Sequence, residues 1–190
     1  MIYLDYQATT PLAPEARDVM LRWLDGPDGI GFGNPHSPHR MGRQAAAAIE
    51  LARDRVAALF PPGGKVIFTS GATEALNLAI RGTDGDGLVA FSAIEHSAVG
   101  DTARAAGAHH VLDVDEEGLC DPAQELPKHT RMIAVMQVNN EIGTIQPMLD
   151  WHRRAKEANA LFLVDAVQAY GKMQVANADM IAMSAHKLHG

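Results

Sequence analysis

The sequence predicts an α/β fold, a mostly parallel sheet flanked by helices. Two observations lead there. Short apolar runs alternate with amphipathic segments along the chain, which is the pattern of successive βα units. The 190 residues, 47% of them hydrophobic, also suffice for one such domain with a substantial core.

Taken in chain order, a helix is expected over 14–24, and Gly26 to Pro38, rich in glycine and proline, reads as loop. Ser37-Pro38 is a start signal for the longest helix, over 39–59. There Ala45, Ala48, Ile49, Ala52, Val56 and Leu59 recur at helical spacing. A strand over 65–69 leads into a helix over 72–81. Next come a strand over 87–91, a helix over 97–106, strands over 109–112 and 132–137, a helix over 149–158, and strands over 161–164 and 179–183. There is no repeat and no linker. A break after 150 would cut across the alternation, so residues 1–190 read as one structural unit.

Charge narrows the function classes. A formal charge of −7, from 23 acidic and 16 basic residues with no basic run, argues against a nucleic-acid or anionic-membrane footprint and favours small-molecule substrates. No apolar run approaches the roughly 20 residues that a membrane span needs. Met1-Ile2-Tyr3-Leu4-Asp5 lacks the regions of a signal peptide, so a cytoplasmic protein is expected. The single cysteine, Cys120, cannot form an intramolecular disulfide and fits a reducing compartment.

Chemistry-bearing residues fall at the ends of the apolar runs. Lys65-Val66-Ile67-Phe68-Thr69 runs into Ser70-Gly71-Ala72-Thr73-Glu74, where free N–H groups and the helix dipole favour an anion. Gly71 permits close backbone approach, and Ser70 and Thr73 supply hydroxyls. The same Ser/Thr and Glu arrangement also serves helix capping. Asp165 closes the run Phe162-Leu163-Val164, at the edge where open α/β sheets hold ligands. It either caps the next helix or faces a cation, and a protonated ring nitrogen would compensate its burial. His96, after Leu88-Val89-Ala90-Phe91, is either an ordinary loop histidine or a ring-stacking group; Glu95-His96 has no metal-ligand spacing. Asn139-Asn140-Glu141-Ile142-Gly143 is a polar turn or a ligand contact. In Ser184-Ala185-His186-Lys187, small residues after an apolar strand present one amine suited to imine formation, flanked by further phosphate donors in Ser184 and His186. A phosphate cradle, a stacking imidazole, an acid for a ring nitrogen and an amine together describe a pyridoxal phosphate site.

The motifs carry a resemblance that runs the length of the chain. Tyr3-Leu4-Asp5-Tyr6-Gln7-Ala8-Thr9-Thr10-Pro11 and Gly33-Asn34-Pro35-His36-Ser37, with His39 and Gly42, come first. Thr69-Ser70-Gly71-Ala72-Thr73-Glu74-Ala75-Leu76-Asn77-Leu78-Ala79, Glu95-His96, Val138 to Gly143, Val164 to Gln168 and Ser184 to Lys187 follow in order. In these the chain resembles the amino-terminal half of class V pyridoxal phosphate enzymes, specifically cysteine desulfurases of the iron–sulfur cluster type. The resemblance implies the three-layer large domain of a fold type I enzyme, with the small carboxyl-terminal domain absent from this chain. It implies that Lys187 holds the cofactor as an imine and that Ala72, Thr73, Ser184 and His186 contact its phosphate. By the same resemblance Asp165 pairs with the ring nitrogen and Gln168 approaches the phenolic oxygen. His96 stacks on the ring and assists proton transfer, and Asn140 lies near cofactor and substrate carboxylate.

The reaction so implied converts L-cysteine to L-alanine and hands persulfide sulfur to an acceptor or scaffold protein. The family's nucleophilic cysteine sits on a mobile loop in the other half, and Cys120, in Glu116-Glu117-Gly118-Leu119-Cys120-Asp121, does not match it. The substrate-carboxylate arginine and a phosphate contact from a neighbouring subunit would likewise lie beyond Gly190. The chain is therefore expected to be inactive alone and to expose apolar surface toward a homodimer partner or a complementing carboxyl-terminal half. A selenocysteine lyase, a class V aminotransferase and a non-catalytic cofactor-binding or scaffold domain are the alternatives.

Overall fold

The computed structural model describes every residue except Met1, Asp25, Pro27, Asp28, Ile30 and Asp84. Its contacts divide the chain into two compact units, Met1–Phe68 with Leu188–Gly190, and Thr69–Lys187.

The first unit carries helices α1 (Pro14–Leu21) and α2 (Arg40–Ala57). Helix α1 ends three residues short of the expected bound because Trp23 and Leu24 turn back onto Met20 and Leu21 through i→i+3 bonds. Helix α2 begins within one residue of its expected start and ends two residues before its expected end, capped by His39, whose Nδ1 accepts the Gly42 N–H at 3.2 Å. The expected loop is irregular wherever it is described; at Pro27, Asp28 and Ile30 the expectation lies outside the described residues. The strand expected over 65–69 does not form among the described residues. Its apolar pattern is that of a strand, but no neighbouring strand pairs with it, and Ile67 remains 69% exposed. Arg53 engages this segment instead, donating Nη1 to the Val66 carbonyl and setting its guanidinium 4.9 Å from the Phe68 ring centre.

The second unit is a five-stranded parallel sheet of β1 (Leu88–Ser92), β2 (His109–Leu112), β3 (Thr130–Met136), β4 (Leu161–Asp165) and β5 (Met180–Ala182). The strand order is β2-β1-β3-β4-β5. Helix α3 (Ala72–Gly82) precedes β1, α4 (Ser97–Ala106) lies between β1 and β2, and α5 (Met148–Glu157) lies between β3 and β4. Side chains alternate across the sheet. On one face Val89, Phe91, Met132, Ala134 and Leu163 pack with Leu76 and Ile80 of α3 and Val99 and Ala103 of α4. On the other, Ile133, Val135, Phe162 and Val164 are fully buried, and His152 of α5 stands 6.0 Å from the Phe162 ring. Burial on both faces is why β3 and β4 read as continuous apolar runs. Trp151 of α5 is buried whole and donates Nε1–H to the Cys120 carbonyl at 3.0 Å. No helix among the described residues is long and apolar enough to cross a membrane.

Helix α5 ends in a Schellman motif. Ala160 N–H reaches the Ala155 carbonyl at 2.9 Å and Asn159 N–H the Lys156 carbonyl at 3.1 Å, with Asn159 left-handed at φ 51°. This stop places the chain to enter β4, whose far end bears Asp165. Asn159→Gly is expected to raise stability by up to about 0.5 kcal/mol, and Asn159→Val to lower it by about 1–2 kcal/mol. Opposite shifts of the thermal unfolding midpoint would show both.

Candidate functional site

Because all five strands run the same way, their carboxyl ends share one edge, and the loops leaving that edge enclose a cleft of about 450 Å³. Ala72, Thr73, His96, Asn140, Asp165, Gln168, Ser184, His186 and Lys187 all line it. These nine residues come from five separate stretches of chain, and the fold brings every one of them to a single place.

The start of α3 forms one wall. Glu74 reaches back so that its carboxylate accepts the Ser70 N–H at 2.5 Å, a bond that holds this carboxyl below its ordinary range. The Thr69 hydroxyl donates to the Gly71 carbonyl at 2.9 Å. Glu74 thus performs a capping role, but on Ser70, and Gly71 as N-cap has no side chain to offer. The N–H groups of Ala72 and Thr73 precede any intrahelical acceptor. A Cβ built on Gly71 would meet no atom within 4 Å, so no protein packing there requires glycine. The capping reading of this segment therefore holds, with Glu74 acting on Ser70.

His96 is the N-cap of α4: its Nδ1 accepts the Ala98 N–H at 3.1 Å. In the neutral ring that contact places the proton on Nε2. Across the cleft, β4 ends on Asp165, only 6% exposed, whose Oδ1 accepts the Val167 N–H at 2.9 Å while its carbonyl accepts from Gln137 N–H. Asp165 caps a turn and faces the cleft together. Burial pushes its carboxyl up; the Val167 N–H and the charges of His96 and Lys187 act against that rise. Gln168 accepts a bond from Lys172 Nζ at 3.1 Å. Ser184 is buried after β5, and the 3₁₀ turn Ala185–Lys187 sets Lys187 half-buried at the cleft.

The paired asparagines divide their labour. Asn139 is buried and structural, its Nδ2 donating to the Ile94 carbonyl at 2.8 Å and its Oδ1 accepting from Glu141 and Ile142 N–H at 2.7 and 2.9 Å. It ties the loop after β1 to the loop after β3, and so presents Asn140 to the cleft. Behind this turn lies the segment 115–120: Thr144 Oγ1 donates to the Glu117 carbonyl, and Gln146 bonds both Gly118 and Cys120. Gly118 has φ +78°, a backbone conformation that favours glycine, whereas the atom a Cβ would meet, Ile142 Cδ1, is the end of an exposed side chain that can move aside. Met136, Val138 and Leu76 add apolar lining that sequence reasoning did not nominate, because their pattern is simply that of core.

An open parallel sheet with an anion-ready helix start, an imidazole, a buried carboxylate and an amine along one edge has the architecture of a cofactor-binding α/β domain. The aminotransferase class-V family matches residues 2–190, and the chain belongs to that family, whose members are pyridoxal phosphate enzymes. Among similar curated proteins are a mitosomal cysteine desulfurase of Encephalitozoon cuniculi, 39% identical over 209 residues, and the cysteine desulfurase IscS of Dictyoglomus turgidum, 39% identical over 207. Each alignment covers 100% of this chain but 48% and 51% of the relative, so the chain spans about half the length of the curated relatives it matches. A solved structure of SspA in complex with cysteine superposes with a TM-score of 0.88 at 31% identity, covering 100% of this chain and 58% of that one. A NifS-like protein from Rickettsia africae gives 0.85 at 29%, covering 100% and 55%. The fold is that of the large domain of fold type I pyridoxal phosphate enzymes.

Cys120 is not among the residues that line the cleft. It is fully buried in the connection between β2 and β3, and its thiol is pushed up to about 12, chiefly by burial. Against its ordinary value of 9.0 this lowers the thiolate fraction about a thousandfold. Alkylation near pH 8 is expected to be slowed by about that factor in the folded protein and restored by denaturant, as followed by mass spectrometry.

Proposed function

We propose that this chain contributes the cofactor-binding large domain of a pyridoxal phosphate-dependent cysteine desulfurase, which converts L-cysteine to L-alanine and passes the sulfur on as a persulfide. The observation that carries this reading is the gathering of Lys187, Asp165, His96 and the α3 first turn around one cleft. Residues 1–190 then form the amino-terminal portion of that domain, and the small carboxyl-terminal domain belongs to the remaining length seen in the relatives. Homodimer formation, a sulfur-accepting protein partner, a role in iron–sulfur cluster assembly and a cytoplasmic setting complete the proposal.

The cofactor fits the residues present. A buried carboxylate with a single amide bond is suited to a cationic ring nitrogen, free first-turn amides to a phosphate, and one amine to an aldehyde. When bound, the cofactor supplies an electron sink for bonds at the substrate α-carbon. The chain's own groups do the rest. Ala72 and Thr73 N–H, with Ser184 and His186, hold the phosphate, and Asp165 keeps the ring nitrogen protonated. Gln168 and Asn140 orient the ring and the substrate carboxylate. Lys187 Nζ takes and returns the α-proton, and His96 Nε2 moves a proton at the ring face. The cysteine Cβ–S bond breaks with sulfur passing to a thiolate, and protonation of the carbon left behind gives alanine. Cys120 is too buried and too weakly acidic to be that thiolate, which must come from elsewhere in the full-length protein or its partner.

In the full-length protein, borohydride reduction is expected to fix one pyridoxyl group on Lys187, with the mass increment and the cofactor absorbance both lost in Lys187→Ala. Asp165→Ala is expected to lower alanine release from cysteine by about 10²-fold or more. Full-length protein that takes up no cofactor would sink the proposal. Turnover confined to selenocysteine, or transamination without sulfur release, would assign the alternative enzymes.

A further inference from the structure

We propose that Glu95 is a positioning residue that works as a neutral carboxylic acid, fixing the end of β3 and leaving Asp165 as the anion that faces Lys187 and His96. The inference rests on the function proposed above for its consequence, but not for its geometry.

Glu95 lies three residues beyond β1, beside His96. Its Oε1 accepts the backbone N–H of Met136 at 2.6 Å. Met136 is the last residue of β3 and the register partner of Asp165. One carboxyl group thus ties the loop that carries His96 to the strand end that flanks Asp165. The second oxygen, Oε2, is enclosed and has no hydrogen-bond partner.

The surroundings offer this carboxyl no positive charge. Asp165 faces it from the end of β4 and the Cys120 thiol from the connection between β2 and β3, and both are groups that ionise to anions. The groups of the cleft able to carry positive charge, His96 and Lys187, act on Asp165 and not on Glu95. No ion pair reaches Glu95 among the described residues. An enclosed carboxylate without a cation takes up a proton rather than bear the cost of desolvation. In line with that geometry, burial first, and then the charge of Asp165, drive this carboxyl well above its ordinary range against the Met136 N–H.

Neutrality matters to the site because two anions side by side cannot both hold their charge. An ionised Glu95 would push Asp165 toward its protonated form and weaken its pairing with a ring nitrogen. A protonated Glu95 keeps one carbonyl oxygen for Met136 and leaves Asp165 its charge. A carboxyl raised in the folded state stabilises the protein fully below its unfolded value, and that contribution is lost as pH rises through the raised one. Ionising Glu95 therefore costs stability through desolvation and the charge of Asp165, and the Met136 N–H, which favours the charged form, offsets only part of that cost.

The test uses the full-length protein and three readouts. Infrared spectroscopy at neutral pH is expected to show the C=O stretch of a protonated carboxylic acid, lost in Glu95→Gln. Glu95→Gln, which keeps the carbonyl acceptor and carries no charge, is expected to fall less in unfolding midpoint than wild type as pH is raised above neutral. Glu95→Ala, which loses the Met136 bond, is expected to shift the pH midpoint of the cofactor absorbance, and Glu95→Gln to restore it to within about 0.3 pH units of wild type. Absence of the infrared band, or its persistence in Glu95→Gln, would overturn the inference, as would a Glu95→Gln midpoint displaced by a full unit. The infrared readout needs no cofactor. A wild-type protein showing the band but binding no cofactor would uphold the acid and sink the proposed function instead.

Discussion

A carboxylate buried at the end of a strand is the constraint on which the site depends. Asp165 sits where β4 leaves the sheet, with one amide bond on its side chain and most of its solvation removed. A charge so placed is costly unless something positive answers it. The sheet supplies the answer through topology, since parallel strands deliver the loops after β1, β3, β4 and β5 to the same edge. Lys187 and His96 both act on Asp165 from neighbouring loops. The carboxylate and the groups that justify it thus arise from one architectural fact.

The loops are held by side chains that never enter the cleft. Asn139 reaches back to the Ile94 carbonyl and gathers the amides of its own turn. Gln146 carries the support outward to Gly118 and Cys120, and Trp151 of α5 bonds Cys120 in turn. A path of buried hydrogen bonds therefore links the core helix to the Asn140 turn. Cys120 belongs to this path as a packed small residue with bonded backbone groups, which accounts for its presence without chemistry.

Much of this was legible in the sequence because local pattern and burial coincide. The helices at 72–82, 97–106 and 148–157 and all five strands of the sheet lie within two residues of their expected bounds, since apolar periodicity reports burial directly. The candidate residues were legible because they come after those runs, at the edge where α/β sheets place ligands. Pairing could not be read. Val66-Ile67-Phe68 has the composition of a strand, yet a strand exists only with a neighbour, and no local pattern encodes that. Local pattern alone did not separate Asn139 from Asn140, since one position in a turn decides which points inward; the family resemblance singled out Asn140. Glu95 was visible only as the neighbour of His96; its enclosed oxygen is a product of tertiary packing.

The cap that His96 makes on α4 carries a consequence of its own. A ring whose Nδ1 is committed to the backbone has a single nitrogen left to offer, and it cannot turn over without releasing the helix end. In the neutral ring only Nε2 remains to meet whatever enters the cleft. The orientation of a cleft-lining ring is in this way written into a helix terminus, by a bond made entirely within the protein.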